Sequence, residues 1–315
     1  MNRLRISAPL VALLLAILLF FVGGLIRPGF TSYAQAINIL RVSAFLGIVA
    51  AGQTLVIISG GEGIDLSVGA VVTLGAILVF RIANGQNELV LPALMAALAT
   101  GALIGLVNGL GIAYVRIPPL VMTLGMTGLV QGLILIVTRG QMIGQSTPLM
   151  TRFISGPLFL GIPGMVFVWL LLGGLMWLIL ERTAYGKQVF AIGVNRDTAR
   201  LSGVRVSRVV VLTYAISGLL AALGGFVLLG YTQKVFLRLG EPYTLPSVAA
   251  VVVGGTLLSG GMGSYWGTMA GALVLTLITS LLTTLQMPES TRLIVYGLTL
   301  LILLAIYGRQ KGLRL

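Results

Sequence analysis

Runs of about twenty apolar residues recur along the whole chain, and nothing else in it limits the fold as tightly. The first, SAPLVALLLAILLFFVGGLI, runs from Ser7 to Ile26 without a charge. As a helix such a run is about 30 Å long, the thickness of a bilayer's hydrocarbon core. Charged residues make up 9% of the sequence and hydrophobic ones 57%. Soluble domains carry about 25% charged residues, so lipid has to serve as solvent here. The short alternating segments of a membrane barrel are missing. The chain therefore reads as all-α and polytopic, with residues 1–315 forming one transmembrane domain.

Hydropathy and chain breakers place about ten spans. They lie near Ser7–Ile26, Ile39–Ser59, Ile64–Ile82, Leu89–Val115, Leu120–Thr138, Gly164–Leu180, Val209–Gly230, Pro246–Ser259, Ser264–Leu285 and Leu293–Tyr307. Arg3, Arg5 and Ala34-Gln35-Ala36 imitate a signal peptide. The apolar run is too long for one, however, and Arg27-Pro28 parts it from the small residues, so it reads as a retained first span. With the N-terminus inside, Arg3, Arg5, Arg116, the six basic residues of Arg182–Arg208, Arg309, Lys311 and Arg314 face the cytoplasm. Arg27, Arg81, Arg139, Arg152, Lys234, Arg238 and Arg292 face outward. Twelve against seven places both termini in the cytoplasm. The net charge of +13 is then an orientation signal, and no nucleic-acid partner is expected.

The sequence has no cysteine and no histidine. That removes thiol nucleophiles, imidazole bases and the usual zinc ligands. No G-x-x-x-x-G-K-[ST] phosphate loop occurs, so the chain does not hydrolyse ATP by that route and is read as a non-enzyme. Energy must come from a partner or from an ion gradient.

Polar groups inside the apolar stretches carry the remaining information. SGGEGIDLSVGA (Ser59–Ala70) sets Glu62 and Asp65 between two apolar runs. A carboxylate in hydrocarbon costs roughly 2.5–3.5 kcal/mol on insertion scales. Asp65 can cap the following helix, with Ser67 beside it, or the segment can lie along a polar translocation path. Gln53, Asn108 and Gln131 have amides poorly solvated by lipid. They either bond between helices or line a path for neutral, hydroxyl-rich solutes. SGGEG (Ser59–Gly63) is echoed by SGGMG (Ser259–Gly263), as a common glycine turn or as a trace of duplication. In the basic loop, Asn195 is a favoured N-cap, Arg196 to Ser202 make about two helical turns, and Gly203 suits the stop. The outer loop YTQKVFLRLGEPYTLP holds Lys234, Arg238 and Glu241, either for ion pairing with a partner or simply solvated.

Three stretches resemble a known family. GQTLVIISGGEGIDLSVGAVV is similar to the G-x-T-L-V-I-x-[ST]-G-G-I-D-L-S-V-G signature of sugar-type permeases of bacterial ABC importers, the ribose, xylose and galactose class. TAYGKQVFAIGVNRDTARLSGVRVSRV resembles that family's cytoplasmic loop, and VVVGGTLLSGGMGSYWGTMAGAL its glycine-rich region. The chain departs from the pattern by the insertion of Glu62-Gly63, by Val194 for a glycine, and by Thr198 where alanine is common. The resemblance implies a permease subunit that carries a monosaccharide or related polyol across the bacterial inner membrane. It implies a cytoplasmic ATPase, a periplasmic solute-binding protein and a second permease copy as partners, with no cofactor or metal. It also implies that the loop near 182–208 holds a coupling helix contacting the ATPase through Asn195, Arg196, Asp197, Ala199, Arg200, Leu201 and Gly203. Gln53, Glu62, Asp65, Ser67, Asn108 and Gln131 are the candidates for the path. The alternative is an ion-coupled secondary transporter using Glu62 or Asp65.

Overall fold

Hydrophobic residues surround these helices almost evenly, so caps and breakers decide where each one starts and stops. In the computed structural model, residues 8–288 are described, together with 290, 291, 294, 295, 297 and 298. Helices α1 (Ala8–Ile26), α2 (Tyr33–Ile58), α3 (Val68–Ala83) and α4 (Val90–Leu110) come first. They are followed by α5 (Pro119–Thr138), α6 (Pro148–Ser155) and α7 (Gly164–Trp177). The remainder holds α8 (Ala184–Val194), α9 (Arg196–Leu201), α10 (Val206–Thr232), α11 (Thr244–Val253) and α12 (Tyr265–Thr284). Ser32 Oγ accepts from Gln35 N at 3.3 Å, Thr183 Oγ1 from Gly186 N at 3.1 Å, and Ser264 Oγ from Gly267 N at 3.1 Å. These are side-chain N-caps. Left-handed residues Asn84, Arg139 and Gln233 close α3, α5 and α10.

Helix α10 is central and packs on α2, α3 and α4. Lipid tails give no hydrophobic reason for helices to associate, so close approach must come from small residues. Gly101, Gly105 and Gly109 supply it: a Cβ on Gly105 would overlap the Tyr214 carbonyl oxygen, and one on Gly218 the Gly101 carbonyl oxygen. Helix α1 lies at the periphery against α12, with most of its side chains outward.

Seven helical stretches among the described residues are long and apolar enough to cross a membrane. Two of the expected ten spans are shorter than expected. The one placed at Ile64–Ile82 is α3, 16 residues, and starts only at Val68. The one placed at Pro246–Ser259 is α11, 10 residues. In both cases glycines interrupt the helix: Gly60 and Gly61 before α3, and Gly255, Gly260 and Gly261 after α11, all with positive φ. The last expected span, Leu293–Tyr307, lies largely outside the described residues, as do Arg292 and the terminal residues Arg3, Arg5, Arg309, Lys311 and Arg314. Between α5 and α7 the sequence reading placed no element. The structure forms α6 and a small antiparallel hairpin there, β1 (Pro157–Phe159) with β2 (Ile162–Pro163).

Candidate functional site

Residues 59–67 are non-helical, yet all but Gly61 and Glu62 are buried or half-buried in the fold. Irregular backbone at that depth survives only if the protein satisfies its polar groups. Side chains from two neighbouring helices do so. The Gln53 amide on α2 pairs with both backbone groups of Asp65, donating to its carbonyl at 2.5 Å and accepting from its N–H at 3.2 Å. On α5, Thr123 Oγ1 lies 3.3 Å from the Ile64 carbonyl oxygen and Thr127 Oγ1 3.1 Å from that of Leu66, each hydroxyl sharing its proton with a carbonyl of its own helix at 2.9 Å.

Asp65 is fully buried. Its Oδ1 accepts from Ser67 N at 3.0 Å and Ser67 Oγ at 2.6 Å. Its Oδ2 accepts from Ser217 Oγ of α10 at 2.8 Å. Asn108 Nδ2 of α4 donates to Ser67 Oγ at 3.0 Å, so the cluster joins three helices to the segment. The N-cap position itself falls to Ser67, two residues beyond the expected Asp65, whose carboxylate reaches forward instead in an Asx turn. Asn108 Oδ1 and Tyr214 Oη are buried with no hydrogen-bond partner among the described residues, and Tyr214 lies within electrostatic reach of both Asp65 and Arg196. The sequence reading passed over Ser217, Tyr214, Thr123 and Thr127, because single hydroxyls in apolar helices carry no periodic signal. It also passed over Arg41, which sits inside α2 and is half-buried.

The other candidates are spread out. Gln131 follows Thr123 and Thr127 on the same face of α5 and lines a cavity of about 280 Å³ with Thr73, Thr127 and Thr244. Glu62 is exposed, at φ 58°, in the turn between α2 and α3. Arg238 pairs with Glu241 at 3.3 Å in the loop between α10 and α11, both side chains being largely exposed. A second cavity of about 550 Å³ opens between α2, α11 and α12. Its polar lining includes Gln35, Asn38, Thr276, Ser280 and Thr283.

Helix α9 forms where the loop was expected to be helical. Asn195 Oδ1 accepts from Asp197 N and Thr198 N, both at 2.9 Å. Gly203, at φ 85°, ends the helix: Gly203 N donates to the Arg200 carbonyl and Val204 N to the Ala199 carbonyl, each at 3.0 Å. That pair of bonds is a Schellman stop. Ala199 is buried, whereas Leu201 is 89% exposed. Arg196 turns inward and donates to the Gly60 carbonyl at 3.3 Å. Helix α8 is tied to α10 by Tyr185 and Thr213, whose hydroxyls lie 2.9 Å apart. Thr213 already donates to Val209, so Tyr185 is the donor. Burial pushes its phenol up to about 12, and it stays protonated.

The family described as branched-chain amino acid transport system / permease component matches residues 35–304. A ribose import permease protein of Bacillus subtilis is 34% identical, over 94% of this chain and 91% of its own length. An autoinducer 2 import system permease protein of Shigella flexneri is 33% identical, over 96% and 87%. A fructose import permease protein of Rhizobium meliloti is 33% identical, over 95% and 84%. No solved structure gives a significant match. The ion-coupled alternative gains nothing from this: these relatives are permeases of import systems, and Glu62 is at the surface.

Proposed function

The chain belongs to the branched-chain amino acid transport system / permease component family, and from that premise we propose that it is the permease subunit of an ATP-driven importer. Its cargo is a monosaccharide or a similarly hydroxyl-rich small molecule, and its place is the bacterial inner membrane with both termini in the cytoplasm. A cytoplasmic ATPase, a periplasmic solute-binding protein and a second permease copy complete the machine. Relatives aligned over nearly the full length of both chains support the cargo class.

The structural observation that carries the reading is α9, a short helix capped at both ends and presenting Leu201 outward. A rigid element of about 9 Å transmits a push that a floppy loop would absorb. The push reaches the segment 59–67 directly, since Arg196 holds the Gly60 carbonyl. The polar face of α5, from Thr123 through Thr127 to Gln131, leads from that segment to the cavity beside Thr73. Neutral hydroxyls and amides along it suit a polyol, donating and accepting hydrogen bonds without demanding a charge. The Asp65 cluster holds this wall in place.

Two experiments test the reading. Uptake into ATP-loaded vesicles holding the whole complex should be unaffected when the proton or sodium gradient is collapsed. Uptake abolished by an uncoupler at constant ATP would overturn it. In Ala199→Pro the ring removes the bond from Ala199 N to the Asn195 carbonyl and costs about 3 kcal/mol in a helix interior. The spans should still insert, but ATP hydrolysis by the complex should lose its stimulation by loaded binding protein. Normal stimulation in this variant would mean that the ATPase docks elsewhere.

A further inference from the structure

The two glycine turns, Ser59–Gly63 and Ser259–Gly263, lie 200 residues apart and share a backbone shape. Gly60 and Gly61 have φ of 67° and 65°, Gly260 and Gly261 of 85° and 75°. They also touch. Gly261 N donates to the Ile58 carbonyl at 2.9 Å, and a Cβ on Gly260 would overlap Gly60. Gly193, at the end of α8, is wedged between them: a Cβ there would overlap the Ile58 carbonyl oxygen and the Gly261 nitrogen. The guanidinium of Arg196 lies against Gly61, and Val194 against Gly261. Three remote pieces of chain thus meet backbone to backbone, with only glycine possible at the contacts.

Each piece presents a side chain outward from this junction. Leu201 on α9 is 89% exposed, Val194 73% and Met262 59%, and Glu62 is exposed at the tip of the first turn. All four residues lie outside the helices that are long and apolar enough to cross a membrane. Lys187 on α8 and Arg200 on α9 are exposed as well, while Arg196 is spent on the Gly60 carbonyl. We propose that the ATPase-docking surface is composite, made of α9 and of the tips of both glycine turns, Glu62 and Met262. The occupant is the ATPase subunit itself, seated by an apolar groove over Leu201 and Met262 whose rim carries acidic groups facing Lys187 and Arg200 and a basic group facing Glu62. This rests on reading α9 as the ATPase contact. The turns are continuous with α9 through the glycine junction, so a partner seated on Leu201 also covers Met262. Every movement of that partner is then felt at the start of the unwound segment leading to Asp65.

The absence of cysteine from the chain gives a clean background for the test. Single variants Leu201→Cys, Glu62→Cys and Met262→Cys are labelled with a membrane-impermeant maleimide in inside-out vesicles, with and without the co-expressed ATPase. Labelling at all three should fall about ten-fold when the ATPase is bound, as for residues inside an interface core. Protection of Leu201→Cys alone would overturn the composite surface and leave α9 as the contact. No protection at any position, with the ATPase still co-purifying, would overturn both. As a second readout independent of labelling, Met262→Glu should weaken co-purification of the ATPase about ten-fold. Unchanged co-purification would count against the proposal.

Discussion

Asp65→Leu should abolish assembly, with almost no chain recovered from membranes, whereas Asp65→Asn should keep most of its abundance and much of its transport. The carboxylate is the common acceptor for Ser67 N, Ser67 Oγ and Ser217 Oγ. Leucine leaves these three buried donors facing hydrocarbon, at about 1–3 kcal/mol each. A total of about 3–9 kcal/mol is comparable to a domain's net stability. Asparagine keeps an oxygen for both Ser67 donors, and its amide can donate to Ser217 with the hydroxyl turned to accept. The checks are membrane abundance and uptake measured side by side on both variants. A leucine variant with normal abundance would mean that the segment 59–67 does not depend on this cluster.

The Asp65 cluster also marks what could and could not be read from sequence. That Asp65 must be satisfied internally followed from its apolar flanks, and that Asn195 and Gly203 bound a short helix followed from cap chemistry. Both are local properties, and the structure shows both. The partners of Asp65 are not local. Ser217 is 152 residues away, and a serine in a span is silent until the helix facing it is known. Gln53 was legible as an interior amide but not as the group that pairs with the Asp65 backbone, because that depends on the segment being unwound. Span ends went astray for the same reason. Hydropathy reads composition, and Gly254 to Ser259 is apolar enough to pass for helix, although α11 ends at Val253 and Gly255 has a positive φ. The echo between SGGEG and SGGMG was visible as letters only. Its meaning, two turns stacked on each other through Gly193, is a tertiary contact.

At that contact a single methyl group should have a large effect. In Gly193→Ala the new carbon would overlap the Ile58 carbonyl oxygen and the Gly261 nitrogen, two atoms that are themselves hydrogen-bonded at 2.9 Å. Both belong to backbone, so no side chain can swing aside, and the turns must separate or α8 must withdraw. Overpacking of this kind costs about 3 kcal/mol or more when the backbone cannot relax. The spans are held elsewhere, by the close approach of α4 to α10, and should still insert. What should fail is the link from α9 to the segment 59–67: stimulated ATP hydrolysis and uptake should both collapse while the chain remains in the membrane. Gly174→Ala is the matched control. Gly174 lies within α7, where an added Cβ meets nothing, and alanine there should be neutral or stabilise by about 0.5–1 kcal/mol through lower backbone entropy in the unfolded chain. Thermal melting of the purified complex and stimulated hydrolysis should separate the two variants. If Gly193→Ala behaved like Gly174→Ala on both measures, the glycine junction would have no part in coupling, and α9 would have to act on the unwound segment through Arg196 alone.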